Sequence, residues 1–220
     1  MLSDSGEGSV SDIVAALEVV KTRASSSGRR SVVTMSLGGP CETTDCSKDS
    51  LVKAVEALSA ANIVVSVAAG NEGCNACAGS PNGAPSAINV GAVDQFDRVT
   101  YFSNFGQCVD VFAPGWQILS ACAHIVCKAE NVYWELSGTS MACPHTTGVI
   151  AQLLQKDPSA TPAQISKALA CDASRNKLST DPKDTVSRNL VLQVKEYLAN
   201  SRGSVLFHYF IRYTSHLLSR

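Results

Sequence analysis

An α/β fold, with a parallel sheet covered by helices on both faces, is what this sequence predicts, and three observations carry the prediction. Helix-like and strand-like segments alternate twice over residues 10–69, the strand-like runs are continuously apolar, and glycine follows each run closely. Continuous apolar runs suit strands buried on both faces, and repeated helix-then-strand units close by right-handed crossovers into parallel neighbours. In such sheets binding groups gather beyond the carboxyl ends of the strands.

The elements follow in order. Ile13, Leu17 and Val20 share one helical face, and Gly28 closes that helix before the β-branched run at residues 31–36. Ser47 is placed to cap a second helix with apolar positions Leu51, Val55 and Leu58, ended by Asn62, and residues 63–69 follow as a buried strand. Shorter strands are predicted over residues 87–93, 109–112, 118–121 and 132–136. A helix then carries Ser140 and runs to about Gln155. Thr161-Pro162-Ala163-Gln164 combines a capping box with proline at the first helical position, which predicts a last core helix through about Ala170.

With 45% hydrophobic residues and a formal charge of −1, the 220 residues can bury a substantial core, most simply as one domain, and offer no electrostatic footprint for nucleic acid or an acidic membrane. Apolar runs fall far short of the roughly 20 residues that span a bilayer. Met1-Leu2-Ser3-Asp4-Ser5 has neither the basic region nor the apolar core of a signal peptide. Nine cysteines point to an oxidising compartment, with Cys41/Cys46, Cys74/Cys77 and Cys122/Cys127 close in sequence. Cys74-Asn75-Ala76-Cys77 has the spacing of a zinc half-site but lacks a second half. The odd total leaves at least one thiol unpaired, and Cys143, one turn into an apolar helix, is the candidate.

Ser137-Gly138-Thr139-Ser140-Met141-Ala142-Cys143-Pro144-His145 sets a serine between a glycine turn and a helix start. Unpaired N–H groups and the positive end of the dipole there favour negative charge developing beside Ser140. Taken singly, such a serine is more often a helix cap. Leu37-Gly38-Gly39 and Gly70-Asn71 stand beyond the first two strand ends, where they should lie near each other. Glycines there admit the backbone of an extended peptide, or else mark ordinary turns.

Gly138-Thr139-Ser140-Met141-Ala142-x-Pro144-His145, preceded in order by Ser36-Leu37-Gly38-Gly39 and Ala68-Ala69-Gly70-Asn71, resembles the subtilisin family of serine proteases, and within it the proteinase K-like branch. The likeness covers residues 2–194. It implies a three-layer subtilisin-like fold, truncated at the N-terminus, with Ser140 as nucleophile and Asn71 pointing its amide at the oxyanion beside the Ser140 N–H. Gly6-Glu7-Gly8 and the segment Ser36, Leu37, Gly38 and Gly39 resemble the edges that sandwich a polypeptide substrate, and Ala69 with Gly70 would line a pocket for large apolar or aromatic side chains. The Pro85 and Ala87 carbonyls with the Asp110 carboxylate match a structural calcium site, and an all-oxygen set suits that hard cation. Cysteines at the positions of Cys77 and Cys108 are bonded in bacterial relatives. Cys41 with Cys46 and Cys122 with Cys127 are further short loops that could be bridged.

The resemblance has departures. The family carries its triad Asp and His on two segments upstream of the Gly6 region, and this sequence starts at Met1, only a few residues before that region, without either segment. His124, His145, His208 and His216 all stand outside the family's catalytic-histidine setting. The expectation is a partial chain, nearly inert by itself, from a parent that is secreted with a signal and propeptide and is monomeric when intact. Residues 195–220 have no family counterpart and read as misread noncoding sequence or as a docking segment. Two further readings are a catalytically dead peptide-binding protein and, remotely, an α/β-hydrolase esterase, since Gly138-x-Ser140-x-Ala142 approaches that nucleophile elbow.

Overall fold

The computed structural model describes residues 8–41, 45–122, 132–179, 184 and 186–194. Gly6, Glu7, Cys127, His124, His208 and His216 therefore lie outside the described residues, as does the whole 195–220 tail.

Helix α1 spans Val10–Ser27, capped by Ser9, whose hydroxyl accepts the Asp12 N–H, and ended by Gly28 at φ 65°. Only glycine takes that left-handed backbone without strain. Strand β1 (Val32–Met35) follows, then β2 (Gly39–Pro40). Helix α2 (Ser50–Ala60) is capped by Asp49, not by Ser47, which sits in a short 3-10 turn at Cys46–Lys48. Asp49 is 1% exposed and its carboxylate accepts from Leu51 N–H and the Ser80 hydroxyl, so the stronger acceptor takes the buried cap. Next come β3 (Val64–Ala68), β4 (Gly79–Ser80), β5 (Ile88–Val93), β6 (Val111–Pro114), β7 (Ile118–Ala121) and β8 (Tyr133–Leu136). Helices α3 (Thr139–Lys156) and α4 (Pro162–Asp172) and strands β9 (Ser174–Arg175) and β10 (Leu190–Val191) complete the order. The Thr161 and Gln164 side chains close the expected capping box on α4.

The main sheet runs β1-β3-β5-β6-β10-β9, parallel throughout except at β9. Side-chain alternation along β3 divides the layers. Val65 and Val67 face α1 and α2 with Ile13, Leu17, Val55 and Leu58, while Val64 and Ala68 join Val90, Val111, Ile150 and Leu153 under α3 and α4. Strands that supply core to both faces must be apolar at every position, which is why β3 and β5 are buried along their whole length. The sixth-strand arrangement leaves β1 with only β3 beside it among the described residues.

Two predicted strands sit elsewhere. β7 and β8 form a separate antiparallel hairpin with Leu119, Tyr133, Trp134 and Leu136 exposed, and the strand expected at 109–112 begins two residues later, at Val111.

Disulfides join Cys41 to Cys46 and Cys77 to Cys108. Cys122 is also disulfide-bonded. Cys74 and Cys171 are free and exposed, and Cys143 is free and fully buried. Burial pushes the Cys143 thiol up from its ordinary range, against a contact with the Ser66 hydroxyl at 3.3 Å. A neutral, inaccessible thiol is a poor nucleophile. Native alkylation followed by peptide mapping is expected to modify Cys74 and Cys171 and to spare Cys143 until denaturant is added.

Candidate active site

Four segments converge at the carboxyl end of the sheet. β1 runs out into Ser36, Leu37 and Gly38; β3 into Ala69, Gly70 and Asn71; β6 into Gly115; and the β7–β8 hairpin returns through Ser137 and Gly138 to α3. Gly138 is the helix N-cap and Ser140 is its second residue, so the capping reading of Ser140 does not hold. The approach is held by Gly138 N–H donating to Gly115 O at 2.8 Å and Gln117 N–H to Ser137 Oγ at 2.8 Å. A Cβ on Gly115 would stand 2.8 Å from Gly138 O and 2.6 Å from Ala92 Cβ, so only glycine fits this crossing.

Thr139 ties the helix start to the β3 end. It is completely buried. Its N–H and its hydroxyl both donate to Asn71 Oδ1, at 2.8 and 3.0 Å, and the hydroxyl accepts the Gly70 N–H at 3.1 Å. Two donors on one amide atom identify it as the oxygen, which turns Asn71 Nδ2 outward. That amide finds no acceptor among the described residues. The Ser140 N–H, one of the unpaired donors of the first helical turn, has none either. The Asn71 amide, tethered to Thr139, and the Ser140 N–H are thus two donors without partners among the described residues.

Pro144 adds a further constraint. It lacks the N–H that would bond the carbonyl four residues earlier, which is that of Ser140. Ser36 Oγ donates to this carbonyl instead, at 2.9 Å, while Ser140 Oγ donates to Ser36 O at 3.4 Å. The end of β1 is thereby fastened to the serine. His145 Nδ1 lies 2.8 Å from Met141 O within the same helix, and among the described residues no imidazole or carboxylate hydrogen-bonds Ser140 Oγ.

The remaining residues singled out in the sequence fall around this point. Ala69 is fully buried, Gly70 half-buried, and Gly8, Ser36 and Gly38 are exposed. Gly39 turns away, its backbone paired with Ser80 across the small β2–β4 ribbon, and a Cβ on Gly38 would meet Ser80 O at 2.8 Å. Asp110 stands apart from the serine, at the start of β6. Its Oδ2 accepts the Asn89 N–H at 3.0 Å and its Oδ1 lies 3.4 Å from Arg188. Burial raises this carboxyl above its ordinary range, outweighing the Asn89 N–H and the Arg188 charge. The Pro85 carbonyl accepts no hydrogen bond from any described residue.

Thr139 and Asn104 are functional neighbours that the sequence did not mark. Thr139 stands inside the motif but was silent as to its partner. Asn104 packs on the Asn71 loop and was legible only as a polar residue among aromatics in Tyr101-Phe102-Ser103-Asn104-Phe105.

A model of the subtilase family matches residues 1–191. Subtilisin-like serine protease Rho m 2.0101 of Rhodotorula mucilaginosa is 40% identical over 84% of this chain and 56% of its own length. Alkaline serine exoprotease A of Vibrio alginolyticus is 38% identical over 86% and 33%. An extracellular serine proteinase of a Thermus species is 41% identical over 80% and 40%. The crystal structure of a cold-adapted subtilisin-like serine proteinase superposes with a TM-score of 0.76 at 38% identity, over 87% of this chain and 64% of that one. The chain thus spans from a third to a little over half of these curated relatives' length.

Gly70 has φ 102°, and a Cβ there would stand 2.3 Å from Asn104 Nδ2. Gly70→Ala is expected to destabilise the fold by about 1–3 kcal/mol through backbone strain, with the collision added. Urea unfolding of the two proteins measures it.

Proposed function

The chain belongs to the subtilase family, and from that premise we propose that it carries the nucleophile and oxyanion half of a serine endopeptidase site acting on polypeptides. The observation that supports this most is the tether of Asn71: its Oδ1 is held by the N–H and hydroxyl of Thr139, the residue before Ser140, which leaves Nδ2 as a donor without a partner among the described residues. Ser140 Oγ attacks the scissile carbonyl carbon and its proton passes to a general base. The carbonyl oxygen takes the negative charge between Asn71 Nδ2 and Ser140 N–H. Collapse expels the amine and leaves an acyl-enzyme, which water hydrolyses by the same steps. The donors act where charge develops, which lowers the barrier instead of merely tightening substrate binding.

The substrate lies as an added strand along Ser36, Leu37 and Gly38, with Gly6, Glu7 and Gly8 on its other side. Ala69 and Gly70 leave room for a large apolar or aromatic side chain. The base and its orienting acid belong to segments N-terminal to the Gly6 region, as in the family. His145 makes no hydrogen bond to Ser140 Oγ, which donates to Ser36 O instead. The 220 residues by themselves are therefore nearly inert, since losing the histidine in subtilisin lowers turnover by roughly 10⁶-fold. The parent acts outside the cell as a monomer released from a propeptide; the disulfides at Cys41–Cys46 and Cys77–Cys108 agree with an oxidising destination.

Calcium is proposed at Asp110 with the Pro85 and Ala87 carbonyls. The donor chemistry fits a hard cation, and the burial that raises the Asp110 carboxyl leaves an anionic charge that the exposed Arg188 compensates poorly. Asp110 and the Pro85 and Ala87 carbonyls would hold the ion, whose charge would offset that carboxylate.

In a hydrolytically competent form of the protein, Ser140→Ala is expected to abolish casein hydrolysis and fluorophosphonate labelling. Asn71→Ala retains labelling and loses about 10² to 10³-fold in turnover, as for the corresponding donor in subtilisin. Persistent hydrolysis after Ser140→Ala excludes the nucleophile assignment. Calcium at 100 times its Kd is expected to add about 2.7 kcal/mol of stability, read as a Tm lowered by chelation. Asp110→Asn removes that response; a chelation shift of unchanged size excludes Asp110 as a ligand.

A further inference from the structure

Asn104 is 5% exposed and uses every hydrogen-bonding position that an asparagine has. Nδ2 donates to Ala69 O at 3.0 Å and to Glu72 Oε2 at 2.7 Å. Oδ1 accepts from the Glu72 N–H at 3.1 Å and the Cys74 N–H at 2.9 Å. Its own N–H donates to Gly70 O at 3.0 Å. A sixth, from Ser103 Oγ to the Asn104 carbonyl at 3.0 Å, stays within its own segment; the other five fall on residues 69–74, on both sides of Asn71, and none reaches Asn71, Thr139 or Ser140. The next anchor on this loop is Gly73 N–H to Phe102 O at 2.8 Å, from the same segment that carries Asn104.

The arrangement is more specific than loop stabilisation needs. Asn71 has one side-chain tether, Thr139, and this fixes its oxygen alone. Where Nδ2 then points depends on the backbone at residues 70–72, and that backbone is set by Asn104: Gly70 through its carbonyl, Glu72 through its N–H. Gly70 sits flush against Asn104, which is why a Cβ there has no room. Resting on the endopeptidase reading above, we infer that Asn104 is a positioning residue of the oxyanion hole, holding Asn71 Nδ2 beside the Ser140 N–H before substrate arrives. Donors fixed in advance stabilise a developing charge without reorganising, and an error of about 1 Å in such a group lowers rates about 10²-fold.

In a hydrolytically competent form of the protein, Asn104→Ala is expected to lower kcat roughly 10- to 100-fold with KM changed less than about threefold. In an Asn71→Ala background the same substitution adds less than about threefold, because the group it positions is gone. Two losses that multiply, or a lowered Tm with kcat intact below the melting range, overturn the inference. Asn104→Asp keeps the shape but turns an acceptor toward Ala69 O and the Glu72 carboxylate, and burial with like charge raises the pKa of the introduced carboxyl. Its kcat, relative to the unsubstituted protein, rises as pH falls and the carboxyl regains a donor, whereas the Asn104→Ala deficit does not follow pH in this way. Parallel profiles for the two variants count against the inference. A readout without turnover uses the 220-residue chain: the ¹H–¹⁵N heteronuclear NOE of the Asn71 side-chain amide falls in Asn104→Ala, and an unchanged value overturns the positioning role. Hydrolysis that survives Ser140→Ala defeats the endopeptidase reading and leaves the NOE to judge Asn104. Hydrolysis that is lost there, with kcat intact in Asn104→Ala, defeats only the positioning role.

Discussion

The buried contact of Thr139 with Asn71 is the constraint on which the site depends. A helix start leaves N–H groups without partners, and burying one uncompensated costs about 1–3 kcal/mol. Asn71 Oδ1 compensates the Thr139 N–H and accepts its hydroxyl as well. The chemistry of an amide then does the rest. A carboxylate at position 71 would take both donors but offer nothing to an oxyanion, whereas asparagine satisfies the helix with its oxygen and keeps a donor to spare. The stabilising interaction and the functional orientation are one geometric fact.

The sheet supplies the precision. β1 and β3 are parallel neighbours, so their carboxyl ends release Ser36 and Asn71 at the same level, and α3 packs across both strands with its N-terminus at that level. Pro144 makes the junction tighter, since the carbonyl it cannot satisfy is the one Ser36 Oγ occupies. The serine is held from the β1 side by Ser36, from the β3 side through Thr139 and from the hairpin side through Gly138. Residues that a sequence would assign to separate elements meet within hydrogen-bond distance because crossovers in a parallel sheet bring each strand back in the same direction.

Much of this was legible in the sequence where the signal was local. Gly28, the capping box at Thr161 and Gln164, and the apolar runs of β3 and β5 each determine their own neighbourhood. The cap of α2 was misread because Ser47 and Asp49 are both good caps, and the choice rests on Ser80, a partner 31 residues away. Gly39 reads as cleft edge from its place after β1, and nothing local announces its pairing with Ser80, 41 residues on. The β7–β8 hairpin has strand-like composition and gives no hint that it stands outside the main sheet. Asn104 marks the limit most clearly. Five of its six bonds go to a loop some 30 residues earlier, and no period or spacing announces a buried amide whose partners are mostly backbone groups.

The two halves of the chemistry have different structural needs. Among the described residues, the hydrogen bonds that tie Ser140 and Asn71 to their neighbours run within residues 36–140, on a helix seated by the core. Among the described residues no base participates in that network: Ser140 Oγ turns toward Ser36 O, and His145 is bonded within its own helix. In the proposed chemistry, the donors for the tetrahedral adduct are thus arranged by the fold, independently of proton transfer. Folding sets Thr139 against Asn71 and Gly70 because the completely buried N–H and hydroxyl of Thr139 would otherwise be unpaired. The half-buried Ser140 hydroxyl is satisfied by the Ser36 carbonyl, so among the described residues no comparable burial penalty selects a base to partner it.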